Sequence, residues 1–215
     1  MMMNKLSAKL RRFRRDEDGT AAIELLFAVP LLLWTLMSTF VYFDAYRAQS
    51  ISVRAALTIA DMYSREETPI TPLYMDNARN ILAILAESDA QPDYRVTVFT
   101  YRTIEDDFRL VWGENRGLGP NLDNGDLERM RDRFPQMSNN DRAIMVETVT
   151  DYQAPFRTPL MFFWNQGQSN GSVTAQYDLD DSITFDNMVI IKPRFTNNYC
   201  FDPTPELPTN GDDDC

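Results

Sequence analysis

The feature that most limits how this chain can fold is an apolar run at residues 20–43, TAAIELLFAVPLLLWTLMSTFVYF. Glu24 is its only charged residue. A helix of this length extends about 36 Å, because each residue adds about 1.5 Å, and the hydrocarbon core of a bilayer is about 30 Å thick. The run is therefore long enough and apolar enough to form a transmembrane helix.

Two interpretations of this run differ in whether it is retained. A cleaved secretory signal has an apolar core of about 7–15 residues and a small-residue cleavage site. This run is longer, has an acid near its start and leads through residues 42–46 (YFDAY) without such a site. We therefore expect a retained membrane helix. Residues 1–18 have a net charge of +3 and the rest of the chain −14, which predicts a cytoplasmic N-terminus and a C-terminal domain outside the cytoplasm.

The overall composition excludes several classes of function. The 215 residues have a net charge of −11, whereas a nucleic-acid-binding protein needs a basic face. The absence of histidine excludes Ser-His-Asp and Cys-His nucleophiles and imidazole zinc sites, and two cysteines alone cannot build a thiolate zinc site. A carboxylate-only hydrolase stays open as a class, but no Asp/Glu pair forms a recognisable catalytic pattern. We predict no enzyme activity, catalytic residue, cofactor, metal site or nucleic-acid partner.

The chain after the run predicts an α+β domain. Residues 44–67 lack Gly and Pro and space apolar side chains three and four apart, so residues 20–66 are expected to form one helix, kinked at Pro30. Thr71-Pro72 begins a second helix, expected to bury Leu73, Ile81, Leu82, Leu85 and Ala86. Alternating or apolar segments predict antiparallel strands at 94–101, 108–112, 143–150, 172–177 and 183–191, with a loop at 115–125 and a short helix near 126–133.

Two further segments have alternative interpretations. The apolar stretch 159–164 either closes one end of the core or forms a contact surface for another protein. Residues 200–215 lack an apolar pattern and hold both cysteines, which we expect to pair as Cys200–Cys215 if the domain lies in an oxidising compartment. Asp212, Asp213 and Asp214 predict a solvated acidic tail, with a calcium site as the alternative.

Residues 14–24, RRDEDGTAAIE, followed by an apolar run that contains Pro30, carry a family resemblance. This stretch resembles the N-terminus of TadE-like proteins of the tight-adherence (Flp-type) branch of the type IV pilus systems. The resemblance implies a charged leader that ends at Gly19, cleavage by a prepilin peptidase before Thr20, and an assembly role for Glu24. In the major pilins of these systems an aromatic residue follows the glutamate, whereas this chain has Leu25.

Glu24 has two interpretations. It either extends to the headgroups or is protonated, or it has a specific cationic partner in the membrane or in an assembled filament. Cleavage after Gly19 would expose an α-amine about one helical turn before Glu24, and the amine and acid of neighbouring subunits would neutralise each other in an apolar core.

The sequence and the resemblance together predict four segments: a cytoplasmic leader at 1–19, a transmembrane helix at 20–43, a periplasmic domain at 44–199 and a disulfide loop at 200–215. The expected fold is a pilin-like layout, with the long helix packed on an antiparallel sheet of four to five strands. The expected function is that of a minor pilin-like subunit or assembly factor in the bacterial inner membrane, with pilins, other pilus-assembly proteins and a prepilin peptidase as partners. The alternative is a single-pass anchored periplasmic binding or sensing domain unrelated to pili.

Overall fold

The computed structural model describes residues 18–88, 90–153, 175–177, 182–195 and 200–203, with the backbone alone for 18–22, 175–177 and 182. It has a long N-terminal helix and an antiparallel sheet, which confirms the prediction of an α+β fold. The chain divides into two compact units, Met1–Phe43 and Asp44–Cys215, and we call the second unit the sheet domain. The four predicted segments themselves stay predictions.

The first helix, α1, spans Asp18–Ser64. The prediction of one helix at 20–66 is therefore confirmed to within two residues at each end. Glycine and proline are absent between residues 31 and 66, so nothing in this stretch removes a backbone hydrogen bond or favours a turn. At the C-terminal end, the Ser64 backbone carbonyl accepts a hydrogen bond of 2.8 Å from the Arg194 backbone N–H, which ties the helix end to the segment after the last strand.

Two shorter helices follow, α2 at Pro72–Leu85 and α3 at Asn124–Arg129. Thr71 is the N-cap of α2, as predicted, and its side chain accepts a hydrogen bond from the Tyr74 N–H. Asp123 and Asp126 form a capping box at the start of α3. A single 3₁₀ turn at Arg131–Arg133 comes directly after α3.

Among the described residues the sheet has five strands in the order β2-β1-β3-β5-β4, and every neighbouring pair is antiparallel. The strands are β1 (Asp93–Arg102), β2 (Asp107–Arg116), β3 (Arg142–Gln153), β4 (Ala175–Tyr177) and β5 (Ser182–Ile191). This number agrees with the prediction of four to five strands. β1 and β2 form the predicted hairpin, whereas the predicted loop at 115–125 begins later, because Asn115 still pairs with Arg95.

The helix-facing side of the sheet forms the larger core. Val96 and Val98 of β1 lie opposite Val146 and Ile144 of β3, and all four are fully buried. The C-terminal half of α1 and the buried side of α2 cover them with Ala55, Ile59, Ala60, Tyr63, Met75, Ala78 and Leu82. Burial of this apolar surface is the main favourable contribution to folding of the sheet domain.

Tyr94 supplies the polar connection within this core. Its hydroxyl donates to the Met75 carbonyl at 2.6 Å, so Tyr63, whose oxygen lies 3.1 Å away, is the donor in the pair of tyrosine hydroxyls. Burial raises the pKa of Tyr94 to about 12, although the hydrogen bond from Tyr63 acts in the opposite direction. The buried hydroxyl is thus satisfied as donor and as acceptor.

The opposite side of the sheet carries a second core. Phe99 of β1 and Met145 of β3 are fully buried there, together with Leu127 of α3. The Phe99 and Phe134 rings stack with their centroids 4.7 Å apart. Both sides of the sheet are therefore covered around β1, on one side by α1 and α2 and on the other by the 122–134 segment.

The predicted apolar face of α2 is right at Leu82 and wrong at Leu73, Ile81 and Leu85. α2 buries Met75, Ala78 and Leu82, whereas Leu73 and Ile81 are exposed. Both sets of residues follow helical spacing, so α2 has two apolar stripes, and the sheet covers only one of them.

Residues 200–203 lie against the start of α2. The Ile70 N–H donates to the Cys200 carbonyl and the Asp202 N–H donates to the Ile70 carbonyl, both at 2.8 Å. The Phe201 ring lies 5.5 Å from the Trp112 ring, between centroids. These contacts connect the C-terminal segment to α2 and β2.

Candidate functional site

The N-terminal half of α1 exposes its apolar side chains. Within the described residues, this helix is long and apolar enough to cross a membrane by length and composition. The exposed large apolar side chains before residue 44 are Ile23, Leu25, Leu26, Phe27, Val29, Leu31, Leu32, Leu33, Trp34, Leu36, Met37, Phe40, Tyr42 and Phe43. Such continuous exposure of apolar surface is unfavourable in water and indicates a lipid or protein partner.

Two hydroxyl groups of this segment have partners within the helix, as an apolar environment requires, whereas Ser38 Oγ is buried without a hydrogen bond among the described residues. Thr35 Oγ1 donates to the Leu31 carbonyl and Thr39 Oγ1 donates to the Thr35 carbonyl, each at 2.8 Å. A polar group that cannot reach water in a bilayer needs a partner within the protein, and these bonds supply one within the same helix.

The predicted processing and assembly residues lie near the start of α1. Gly19 and Thr20 fall within its first turn, and Glu24 follows about one turn later with an exposed side chain. No hydrogen bond or ion pair joins Glu24 to another residue in the part of the chain that the structure describes. Pro30 lies inside the helix, which continues through it, and the predicted kink stays a prediction.

The sheet domain has a groove at the end where its chain begins. The groove has a volume of about 390 Å³ and is lined by α1 from Asp44 to Ile51, by the segment after α2, and by the end of β3. Its polar lining includes Asp44, Arg47, Glu87, Asp151 and Gln153, and its aromatic lining is Tyr152 and Phe185. It combines acidic, basic and aromatic side chains in one open site.

Tyr152 and Asp44 form the best-defined contact in this groove. Tyr152 Oη donates to Asp44 Oδ2 at 2.6 Å. Burial raises the pKa of the Tyr152 hydroxyl, and its hydrogen bond to the Asp44 carboxylate raises that pKa further. Nearby, burial also raises the pKa of Asp151, assisted by the negative charges of Asp93 and Asp186. The Tyr152 hydroxyl thus stays a neutral donor to Asp44, whereas the Asp151 carboxyl belongs to the other side of β3, because successive side chains of a strand alternate.

A buried polar cluster lies next to the groove, between α1 and the sheet. The Ser52 and Thr150 hydroxyl oxygens are 2.7 Å apart, and Asn187 Nδ2 donates to Ser52 Oγ at 2.7 Å. All three residues are buried. Because buried polar groups are costly without partners, this cluster favours one position of α1 along β3 and β5.

Most of the remaining predicted sites lie outside the residues that the structure describes. Cys200 is half of a disulfide, and Cys215, its predicted partner, lies outside the described residues. The leader at 1–17, the apolar stretch 159–164 and Asp212–214 also lie outside them. Among the described residues no group of three or more Asp, Glu or Cys side chains is arranged to hold a metal ion.

Sequence reasoning missed the groove. Its clearest contact joins Asp44 and Tyr152, which are 108 residues apart, and no local pattern connects them. A partial signal does exist in β3, where Thr150 and Tyr152 place polar groups on the side that also carries Ile144 and Val146. Polar residues on an otherwise buried strand face indicate a polar partner on the covering helix.

Comparison with known proteins adds no family to these observations. No protein-family model, curated protein or solved structure matches the chain. The functional interpretation therefore depends on the N-terminal motif and on the geometry of the helix and the sheet domain.

Proposed function

We propose that this chain is a membrane-anchored minor pilin-like subunit or assembly factor of a tight-adherence pilus, which acts in pilus biogenesis and surface adhesion. The observation that carries the proposal is that the two halves of α1 have different surroundings. Its first half exposes apolar side chains, whereas Ala55, Ile59 and Tyr63 in its second half are buried against the sheet. A pilin-like subunit needs one helix that serves both as anchor and as part of a folded domain.

This arrangement lets the apolar segment change its surroundings without unfolding of the domain. The core cluster that includes Ala55 and Tyr63 contains no residue before Ala55 in the described part of the chain. Lipid around residues 23–37 could therefore be exchanged for helices of neighbouring subunits while the sheet domain stays intact, whereas Ser38 and Val41 are already buried. Apolar burial would be retained during the exchange, because one apolar environment replaces another.

Glu24 would determine the position that each subunit takes relative to its neighbours after this exchange. A carboxylate in an apolar interior is costly by several kcal/mol unless a cation neutralises it. Cleavage between Gly19 and Thr20 would supply that cation as the α-amine of a neighbouring subunit. Only the subunit position that brings the amine to the carboxylate would then be favourable.

The proposed orientation follows from charge. The leader is basic and the sheet domain is acidic, so the N-terminus lies in the cytoplasm and the domain in the periplasm, with the inner membrane between them. Pilins, other pilus-assembly proteins and a prepilin peptidase are the proposed partners.

A second candidate function is an anchored periplasmic binding or sensing domain. The groove beside Asp44 and Tyr152 favours it, because a concave site with charged and aromatic lining is typical of ligand binding. In that case α1 would serve only as an anchor, and the chain would have no role in pili.

Deletion of the gene in the native host distinguishes the two candidates. The pilin-like function predicts the loss of surface pili and of adherence, both restored by the unaltered chain. The binding or sensing function predicts normal pili in the deletion strain. Mass spectrometry of the N-terminus of the protein from the same host then shows whether the residues up to Gly19 are removed.

A further inference from the structure

Two buried side-chain oxygens on the helix-facing side of the sheet make no hydrogen bond within the part of the chain that the structure describes. They are Thr148 Oγ1 on β3 and Asn187 Oδ1 on β5. Thr148 is fully buried and Asn187 is 6% exposed. Buried polar atoms in folded proteins almost always have a partner, either a protein group or an ordered water molecule, so this pair of oxygens needs an explanation.

The two residues lie opposite each other in the sheet. Thr148 pairs with Asn187 in the antiparallel register of β3 and β5. Their side chains therefore extend to the same side of the sheet, with Cβ atoms about 4.5–5.5 Å apart. Both belong to the described residues, and no direct hydrogen bond joins the two oxygens. A water molecule that bonds to both, at about 2.8 Å from each, spans a gap of up to about 5.6 Å, so the register brings the oxygens within reach of one bridging molecule.

The neighbouring hydrogen bonds show which chemistry the bridging molecule needs. Asn187 Nδ2 donates to Ser52 Oγ, and Ser52 Oγ lies 2.7 Å from Thr150 Oγ1. The amide nitrogen of Asn187 thus has a partner, and the remaining amide atom, Oδ1, can only accept. The Thr148 hydroxyl can both donate and accept. The bridging molecule must therefore donate to Asn187 and bond to a hydroxyl at the same time, as water does.

The pair lies directly behind the floor of the groove. Thr150 and Phe185, which pair with each other in the same two strands, both line the groove. Thr148 and Asn187 form the next pair on the same side of the sheet. The two pairs are two residues apart along each strand, which corresponds to about 7 Å. Water from the groove thus has a short path to the buried oxygens.

We propose that one water molecule is bound between Thr148 Oγ1 and Asn187 Oδ1 and is an integral part of the sheet domain. It donates to Asn187 Oδ1 and accepts from the Thr148 hydroxyl, and so it extends the Ser52–Thr150–Asn187 cluster to a fourth side chain. The enlarged cluster favours one position of α1 over β3 and β5. This inference concerns the sheet domain alone and does not depend on the proposed function.

Thr148→Val in the full-length, detergent-solubilised chain tests the proposal by the sign of its effect on stability. Valine has nearly the same shape as threonine and is also β-branched, but it cannot hydrogen-bond to the water. If the hydroxyl holds a water molecule, the substitution removes that bond and the urea midpoint of unfolding falls. If the hydroxyl has no partner, a methyl group in its place removes a desolvation cost and the midpoint rises.

Thr97→Val is the matched control. Thr97 is fully buried, and its Oγ1 also lacks a hydrogen bond among the described residues. Its neighbours in the register are Met145 on β3 and Gly113 on β2, and neither has a side-chain oxygen or nitrogen. A bound water needs at least two polar partners, so we expect no water at Thr97. The urea midpoint of Thr97→Val should therefore stay the same or rise.

A crystal structure of the unaltered full-length chain separates a water bridge from a direct bond. The expected result is a density peak at about 3 Å or less from both oxygens, together with a lower urea midpoint for Thr148→Val and not for Thr97→Val. An unchanged or raised midpoint for Thr148→Val overturns the proposal, and so do equal changes in the two variants. A direct hydrogen bond between Thr148 and Asn187 also overturns it, as does the absence of density between them at a resolution that shows other buried waters.

Discussion

The Tyr152 hydroxyl donates a hydrogen bond of 2.6 Å to the Asp44 carboxylate and so joins the end of β3 to the first residue of the sheet domain. Asp44 directly follows the apolar run, so this bond secures the domain at its first residue. The adjacent Ser52–Thr150–Asn187 cluster repeats the connection deeper in the domain. Together they oppose separation of α1 from the sheet.

Tyr152→Phe should lower the free energy of unfolding of the sheet domain by about 1 kcal/mol. Hydrogen bonds to charged groups contribute about 1.5–3 kcal/mol, but Asp44 is only half-buried and recovers water when its partner is lost. Urea unfolding of the detergent-solubilised full chain, followed by circular dichroism, measures the change. Tyr46→Phe is the matched control, because Tyr46 is exposed. Equal stability of the two variants would show that the bond does not hold α1 to β3.

Alkaline pH should destabilise the sheet domain. The pKa of Tyr94 is raised to about 12, so between about pH 10 and that value the unfolded chain loses a proton that the folded chain keeps. The stabilisation is complete below about pH 10 and is lost as the pH rises toward the folded value. Tyr94→Phe should reduce this loss, because the residue that titrates is absent.

Urea midpoints measured at several pH values from 8 upward give the comparison for Tyr94. The variant is expected to be less stable than the unaltered chain at neutral pH, since it loses the bond to the Met75 carbonyl. The slope of stability against alkaline pH is the relevant quantity. An unchanged slope in Tyr94→Phe would show that groups other than Tyr94 cause the loss of stability at alkaline pH.

Cys200 and Cys215 should be joined within one chain. Non-reducing peptide mapping is expected to recover the two peptides linked, and reduction should release them. A loop of about 15 residues closed in this way stabilises by about 3 kcal/mol in the chain-entropy model. Cys215→Ser removes the pairing and measures that contribution without a change at Cys200, whose residue contacts Ile70 through its backbone carbonyl. Free thiols in the isolated protein, or a dimer linked through these residues, would contradict the pairing.

The elements that sequence predicts well are those with one dominant pattern. α1 combines a long apolar run with a helical apolar stripe and has no breaker after Pro30. β1, β3 and β5 are rich in β-branched residues bounded by turns, and their predicted bounds lie within a few residues of the observed ones. In these segments local preference and burial favour the same structure.

The features that sequence does not predict depend on distant contacts. α2 has one apolar stripe through Leu73 and Ile81 and another through Met75 and Leu82, and only the position of the sheet decides which is buried. β2 extends to Arg116 because β1 offers partners along its length. The groove joins α1 to a strand more than a hundred residues later, so its residues have no common local signal.

The central claim is that Glu24 acts in pilus assembly through its charge. Glu24→Gln keeps a polar side chain of the same size, so membrane insertion and protein level should be unchanged. If a neighbouring subunit's α-amine pairs with Glu24, removal of the carboxylate leaves that cation unpaired in an apolar interior, at a cost of several kcal/mol. Glu67→Gln is the matched control, because Glu67 is exposed and lies after the end of α1.

The most direct measurement is the number of surface pili on the native host that carries each variant in place of the unaltered chain, counted by electron microscopy alongside adherence. Immunoblots of membrane fractions establish that both variants are inserted and stable. The account predicts a strong loss of pili and adherence for Glu24→Gln and normal values for Glu67→Gln. Normal piliation by an inserted and stable Glu24→Gln protein would contradict this account. The apolar helix would then serve only as an anchor.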